Sequence, residues 1–154
     1  MDHTDIALIR ALAANSELST AELASTISLS VPAVNKRLAR LRSSGIIRTS
    51  IITDPAAAGK PILAFVFVVL DHFSHADSLL QYANEDDDVL ECYAVTGEYD
   101  YMLKICASSI KALENKLLHL KRSRGIAKSH TQLALMEHKF TPCALPDSTY
   151  TGKD

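Results

Sequence analysis

The spacing of apolar side chains changes at Gly45, and this change divides the chain. Before it, apolar residues recur every three or four positions, as on a helix buried along one side. After it come β-branched runs such as Ile-Ile-Arg-Thr-Ser-Ile-Ile-Thr (46–53) and Ile-Leu-Ala-Phe-Val-Phe-Val-Val-Leu (62–70), with the length and composition of strands. A chain of 154 residues has room for one domain of usual size or two small ones.

The first part resolves into three helices. Over 4–14, Ile6, Ile9 and Ala13 form one stripe, with Leu8 and Leu12 beside it. Ser19-Thr-Ala-Glu22 is a capping box: the Ser19 hydroxyl can accept from the Glu22 amide while the Glu22 carboxylate reaches back to the Ser19 amide. The short helix that follows turns Leu23, Ala24 and Ile27 inward. Ser30 can cap the next helix, with Pro32 tolerated in its first turn, and Gly45 fits just past its end. Helix, short helix, tight turn, helix is the helix-turn-helix arrangement.

Charge supports this reading locally, although the net charge is only −2. Residues 30–48 hold Lys36, Arg37, Arg40, Arg42 and Arg48 and no acid. At 100° per residue Val34, Leu38 and Leu41 share one face of the third helix. Pro32, Lys36, Ala39, Arg40 and Ser43 lie opposite, flanked by Asn35 and Arg37. Surface helices ordinarily mix signs, so a one-signed face points to a polyanion. The candidate DNA contacts are Ser30, Pro32, Ala33, Asn35, Lys36, Arg37 and Arg40.

Beyond a turn at 54–59, with Asp54 as cap, Pro55 next and Gly59 at its end, strands and helices alternate. A strand at 62–71 precedes a helix at 75–86 with Ala76, Leu79, Leu80 and Ala83 inside. Strands at 89–96 and 99–107 flank Thr-Gly-Glu-Tyr-Asp-Tyr (96–101). A helix at 108–122, carrying Ile110, Leu113, Leu117 and Leu120, leads to a last strand from about 126 to 140. The order βαββαβ is the split βαβ, or ferredoxin-like, pattern. The expected organisation is α+β: a helix-turn-helix domain (1–45), a strand hinge (46–60), a ferredoxin-like domain (61–146) and a polar tail (147–154). A four-stranded sheet with helices on one face and apolar residues on both predicts a sheet-to-sheet homodimer.

A hairpin turn needs a glycine, but not two acids and two tyrosines around it. From the residues alone, 96–101 is equally a structural turn, with Asp100 capping local amides and Tyr99 and Tyr101 packed on the sheet, or a ligand loop.

The combination closely resembles the Lrp/AsnC, or feast/famine, family of prokaryotic transcription regulators, over about residues 1–146. The resemblance runs through Asp2, Asp5 and Ile6 at the start and the recognition-helix segment Ser-Leu-Ser-Val-Pro-Ala-Val-Asn-Lys-Arg. It continues through Gly97, Asp100 and Tyr101 in the turn and through Ile-Ala-Lys-Ser-His-Thr in the last strand. It implies a dimer that assembles further, often to an octamer, and binds promoter DNA. It also implies response to an amino acid or related metabolite held between dimers. Carried over by position, the effector residues are Gly97, Glu98, Tyr99, Asp100, Tyr101, Ser129 and Thr131. At the recognition helix the family often has Pro-Thr/Ser-Pro-Cys, so the resemblance carries no base preference. The alternative within the same fold is a DNA-compacting, nucleoid-type protein without an effector.

Other classes find little footing. Three cysteines without paired or metal-type spacing fit a reduced, cytoplasmic setting, and the acidic N-terminus lacks the order of a signal peptide. No apolar run approaches the roughly 20 residues that span a bilayer. His72 and His75 have metal-like spacing but no matching set of cysteines or carboxylates joins them. No nucleophile–base–acid set appears, and neither an enzyme nor a cofactor is expected.

Overall fold

The computed structural model describes residues 1–123 and 125–147, so the expected polar tail beyond Asp147 lies outside the described residues. The chain forms two compact units: residues 1–51 together with the described residues from Lys139 on, and Ile52–His138. This division differs from the expected one, because residues 139–147 group with the helices and not with the sheet.

The first unit holds α1 (His3–Ala14), α2 (Thr20–Thr26) and α3 (Val31–Ser43). Each starts at a side-chain cap. Asp2 accepts from the Asp5 amide at 2.9 Å and Asp5 from the Asp2 amide at 3.0 Å, a capping box made of two aspartates. Ser19 and Glu22 form the expected box, and Ser30 accepts from the Ala33 amide. The turn between α2 and α3 is a Schellman ending. Leu29 N–H donates to Ala24 C=O at 2.9 Å and Ser28 N–H to Ser25 C=O at 3.4 Å. Ser28 takes the left-handed conformation (φ 56°) that such an ending usually gives to glycine. Leu8, Leu23, Ala24, Val34 and Leu38 close a small core. Arg10 Nη2 donates to the Pro146 carbonyl at 3.0 Å.

The second unit is an antiparallel sheet in the order β2-β3-β1-β4, carrying two helices. Its elements are β1 (Ile62–Leu70), α4 (Ala76–Glu85) after a short 3-10 turn, β2 (Val89–Ala94), β3 (Tyr101–Ala107), α5 (Ile110–Ser123) and β4 (Ile126–Leu133). Alternate residues of β1 (Ala64, Val66 and Val68) are wholly buried with Leu79, Leu103, Ile105 and Leu120. Leu63, Phe65, Phe67 and Val69 point the other way and are only half-buried.

Some expectations need correction. Residues 46–53 form no strand. Among the described residues they have no ladder partner, the Ile47 amide turning back to Leu41 C=O at 3.1 Å, and Ile51 is 91% exposed; a strand exists only where a neighbour takes its amides and carbonyls. The last strand stops at Leu133, beside the start of β1; Ala134 makes one more bond, to Leu63. Strands expected to reach 96 and to start at 99 stop at Ala94 and start at Tyr101, leaving a wider turn. In α4 the buried positions are Ala76, Leu79 and Tyr82, so Leu80 turns outward; Ile110, the first residue of α5, is also exposed.

Candidate functional site

Helix α3 separates its faces as its sequence requires. Val34, Leu38 and Leu41 are buried, while Pro32, Asn35, Lys36, Ala39, Arg40 and Ser43 are exposed. Among the described residues Lys36 has no ion-pair partner and stands free on the outer face.

Arg37 and Arg40 are placed differently from Lys36. Arg37 Nη1 donates to Asp2 Oδ2 at 2.6 Å and to Asp5 Oδ1 at 2.9 Å, and Arg40 Nη2 donates to Asp5 Oδ2 at 2.6 Å. Asp5 is completely buried, with its charge met by two guanidinium groups and the Asp2 amide. The Arg37 hydrogen bond, helped by the Asp5 amide, lowers the Asp2 carboxyl from 3.8 to about 2. The same contact with Asp2 pushes Arg37 up. Arg37 therefore ties the N-terminus of α1 to α3. The Arg40 side chain, 59% exposed, keeps part of its guanidinium edge toward solvent. The basic run of α3 does not announce this cluster, but the sequence carries a signal for it: Asp2 and Asp5 stand three residues apart ahead of an apolar stripe, the spacing of a capping box.

The turn after β2 is closed by Val95 N–H donating to Asp100 C=O at 3.0 Å, with Gly97 at φ 107°, a conformation costly for any side chain. Asp100 has a structural task. Its amide donates to Val68 C=O at 2.9 Å, and its Oδ2 accepts the Leu70 amide at 2.8 Å. The carboxylate thus continues the β1–β3 ladder one rung past its end. That rung lies where the β1–β4 register shifts between Val69 and Leu70, a bulge.

The remaining candidate residues separate. Ser129 pairs with Val68 and Thr131 with Val66, so both face the helix side of the sheet; Tyr101 packs on the core there too. Glu98 and Tyr99 lie with the opposite face. Glu98 forms an ion pair with Lys128, whose ammonium also sits 5.3 Å from the centre of the Tyr99 ring. The hydrogen bond from Lys128 lowers the Glu98 carboxyl, and that from Glu98 raises the Lys128 amine. Tyr99 is 5.5 Å from Phe67 and 6.2 Å from His130, and Phe67 is 6.5 Å from His130. The structure therefore joins Glu98 and Tyr99 to Lys128, His130 and Phe67, and not to Ser129 and Thr131. Strand parity carried the missing signal, since Lys128 and His130 occupy the alternate positions of β4.

Elsewhere, burial pushes the Cys92 and Cys106 thiols up, away from nucleophilic character. Among the described residues no group of three or more His, Cys, Asp or Glu could hold a metal ion, and no helix is long and apolar enough to cross a membrane.

Residues 63–143 match the family model of the Lrp/AsnC ligand binding domain, and residues 1–48 match a winged helix-turn-helix DNA-binding model. The chain is 33% identical to the HTH-type transcriptional regulator LrpA of Mycobacterium tuberculosis, covering 85% of this chain and 88% of that one. It also resembles the crystal structure of a transcriptional regulator of Neisseria meningitidis in complex with L-Met (TM-score 0.86, 27% identity, 92% of this chain and 94% of that one). A feast or famine regulatory protein from M. tuberculosis complexed with L-methionine is equally similar (TM-score 0.87, 30% identity, 94% and 99%).

Proposed function

Because the chain belongs to the Lrp/AsnC family of DNA-binding transcriptional regulators, we propose that it switches promoter DNA occupancy in response to a free amino acid. The observation that carries the DNA half is the exposed face of α3, which has no acid and leaves Lys36 uncommitted. On this reading Lys36 and the outward edge of Arg40 hold phosphates. Asn35 and the small Pro32 and Ala33 face the base edges, and the amides around Ser30 sit near the backbone. Arg37 acts from behind, by holding α3 to α1. The amino-acid half is supported by the ligand-binding-domain match and by two similar structures that hold L-methionine.

The working form is a homodimer that assembles further, up to an octamer, in the cytoplasm in association with the nucleoid, with no catalytic step. Support for the dimer is physical. The half-buried Leu63, Phe65, Phe67 and Val69 form an apolar sheet face, and residues 48–53, exposed and outside any ladder among the described residues, offer backbone to a second copy. Two-fold symmetry then calls for an inverted-repeat site.

Fluorescence anisotropy of the full chain on DNA from upstream of its own gene tests the proposal, at two salt concentrations and with or without pooled amino acids. Binding that prefers this DNA over random sequence, weakens with salt and shifts with amino acids is the expected result. Tight binding indifferent to sequence and to amino acids would point to the DNA-compacting alternative. No binding at low salt would overturn both.

A further inference from the structure

The linker between the two units is free over a shorter stretch than its sequence suggests. At one end the Ile47 amide donates to Leu41 C=O at 3.1 Å, and the Ile47 side chain packs on the helix core. At the other end residues 54–60 form a closed turn. Asp54 Oδ1 accepts from the Ala56 amide at 2.9 Å, and Ala58 N–H donates to Asp54 C=O at 3.0 Å. A Schellman pair ends the turn: Gly59 N–H donates to Ala56 C=O at 3.0 Å and Lys60 N–H to Pro55 C=O at 2.8 Å, with Gly59 left-handed (φ 78°). A single exposed turn is marginal alone. This one is tied down by the Lys60 ammonium, which pairs with Asp88. Asp88 is itself held. Lys116 of α5 reaches Asp88 at 2.8 Å and Asp86 at 2.7 Å, the Asp88 amide donates to Asp86 Oδ1 at 3.0 Å, and the Asp88 carbonyl accepts from the Cys106 amide of β3 at 2.9 Å. Cys106 pairs with Leu63, whose carbonyl accepts from the Ala134 amide at 2.9 Å, shortly before the chain returns to the helix unit. Both crossings between the units are therefore rooted at one corner of the sheet, and the Lys60–Asp88 pair ties the first of them to it.

Resting on the DNA-binding homodimer read above, we propose that the Lys60–Asp88 pair is a positioning element that sets which half-site spacing the dimer accepts, by fixing the root of the tether that carries each helix unit. With the pair in place only residues 48–53 are left, exposed and outside any ladder among the described residues, and a stretch of that length reaches at most about 20 Å. A short tether with a fixed root concentrates the second helix unit at one span and depletes it at others. Releasing Lys60 lets the turn fray, roughly doubles the free length and spreads that concentration over more spans. The pair acts through the tether and not by contact with DNA.

Footprinting of the full chain on DNA from upstream of its own gene locates the protected inverted repeat. Duplexes carrying that repeat, with its centre lengthened or shortened one base pair at a time up to about half a helical turn, are then titrated by fluorescence anisotropy. The wild type should lose at least about tenfold in affinity toward half a turn, where the second half-site faces away. Lys60→Met and Asp88→Asn should each bind the native spacing within about threefold of the wild type and cut that penalty to about threefold or less, with unchanged far-ultraviolet circular dichroism. The two substitutions remove charges of opposite sign, so an effect they share does not come from net charge. Lys60→Arg keeps the pair and should keep the wild-type profile. If both Lys60→Met and Asp88→Asn keep the wild-type profile, or lose affinity equally at every spacing, the pair serves only the fold and the proposal is overturned. A wild type indifferent to spacing overturns it as well. If the wild type protects no paired half-sites, or does not bind, the reading as a DNA-binding dimer itself falls, and this inference with it.

Discussion

A single buried carboxylate sets how the recognition helix is held. Asp5 is fully buried against Arg37 and Arg40, and both guanidinium groups reach it from α3. Asp5→Asn keeps the shape and removes the charge, leaving the two arginines without their counter-ion. Partly exposed partners soften that loss, so destabilisation of about 2–3 kcal/mol is expected in urea unfolding followed by circular dichroism. DNA affinity should fall with it as α3 loosens; unchanged stability would remove Asp5 from this role. The neighbouring Asp2 gives a pH signature. Its carboxyl is held at about 2 when folded against an ordinary 3.8. A lowered folded value stabilises above the unfolded one, so its contribution is complete above about pH 4 and lost as pH falls toward 2. Asp2→Asn should flatten the acid limb of the stability curve in that window and no other. Ser28 offers the opposite case. Its left-handed backbone suits glycine, so Ser28→Gly should raise stability by up to about 1 kcal/mol, read as a higher urea midpoint.

At the scale of elements, α3 divides its basic residues between two tasks. Helical periodicity separated Val34, Leu38 and Leu41 from the polar face correctly. It did not separate Arg37 from Lys36, because adjacent positions differ by only about 100° around the axis and both look outward on a helical wheel. Only the packing of α1 across α3 shows that Arg37 is occupied and Lys36 is not. Lys36→Ala is therefore expected to weaken binding on all DNA sequences alike and to lower the slope of log affinity against log salt by about 1, without change in stability. A loss of sequence preference in anisotropy competition would instead give Lys36 a base. The turn at 96–101 shows a similar division. Gly97 and Asp100 serve the backbone, whereas Glu98 and Tyr99 project to the open sheet face.

At the scale of the whole molecule, the sheet has one face covered by α4 and α5 and another left with half-buried apolar residues. Phe65→Asp places a charge on that second face and leaves the helix-covered core untouched. If two copies pair there, light scattering after size exclusion should show the variant shifted to smaller species, with far-ultraviolet circular dichroism unchanged. An unaltered mass would place the contact elsewhere. The order of elements was legible in the chain because periodicity and caps are local: the Ser19–Glu22 box, the Ser30 cap, Gly45 and the alternation of β1 all act within a few residues. The strand expected at 46–53 was not settled locally, since a strand needs a partner and β-branching cannot supply one. The same holds for the site. Residue types marked Glu98, Tyr99 and Asp100 as candidates, but strand register put Lys128, not Ser129, beside Glu98, and a ladder's missing rung claimed Asp100. Local chemistry thus determined which elements form and which faces they bury; long-range pairing across β1 and between α1 and α3 decided which of the charged side chains remain free to meet a ligand.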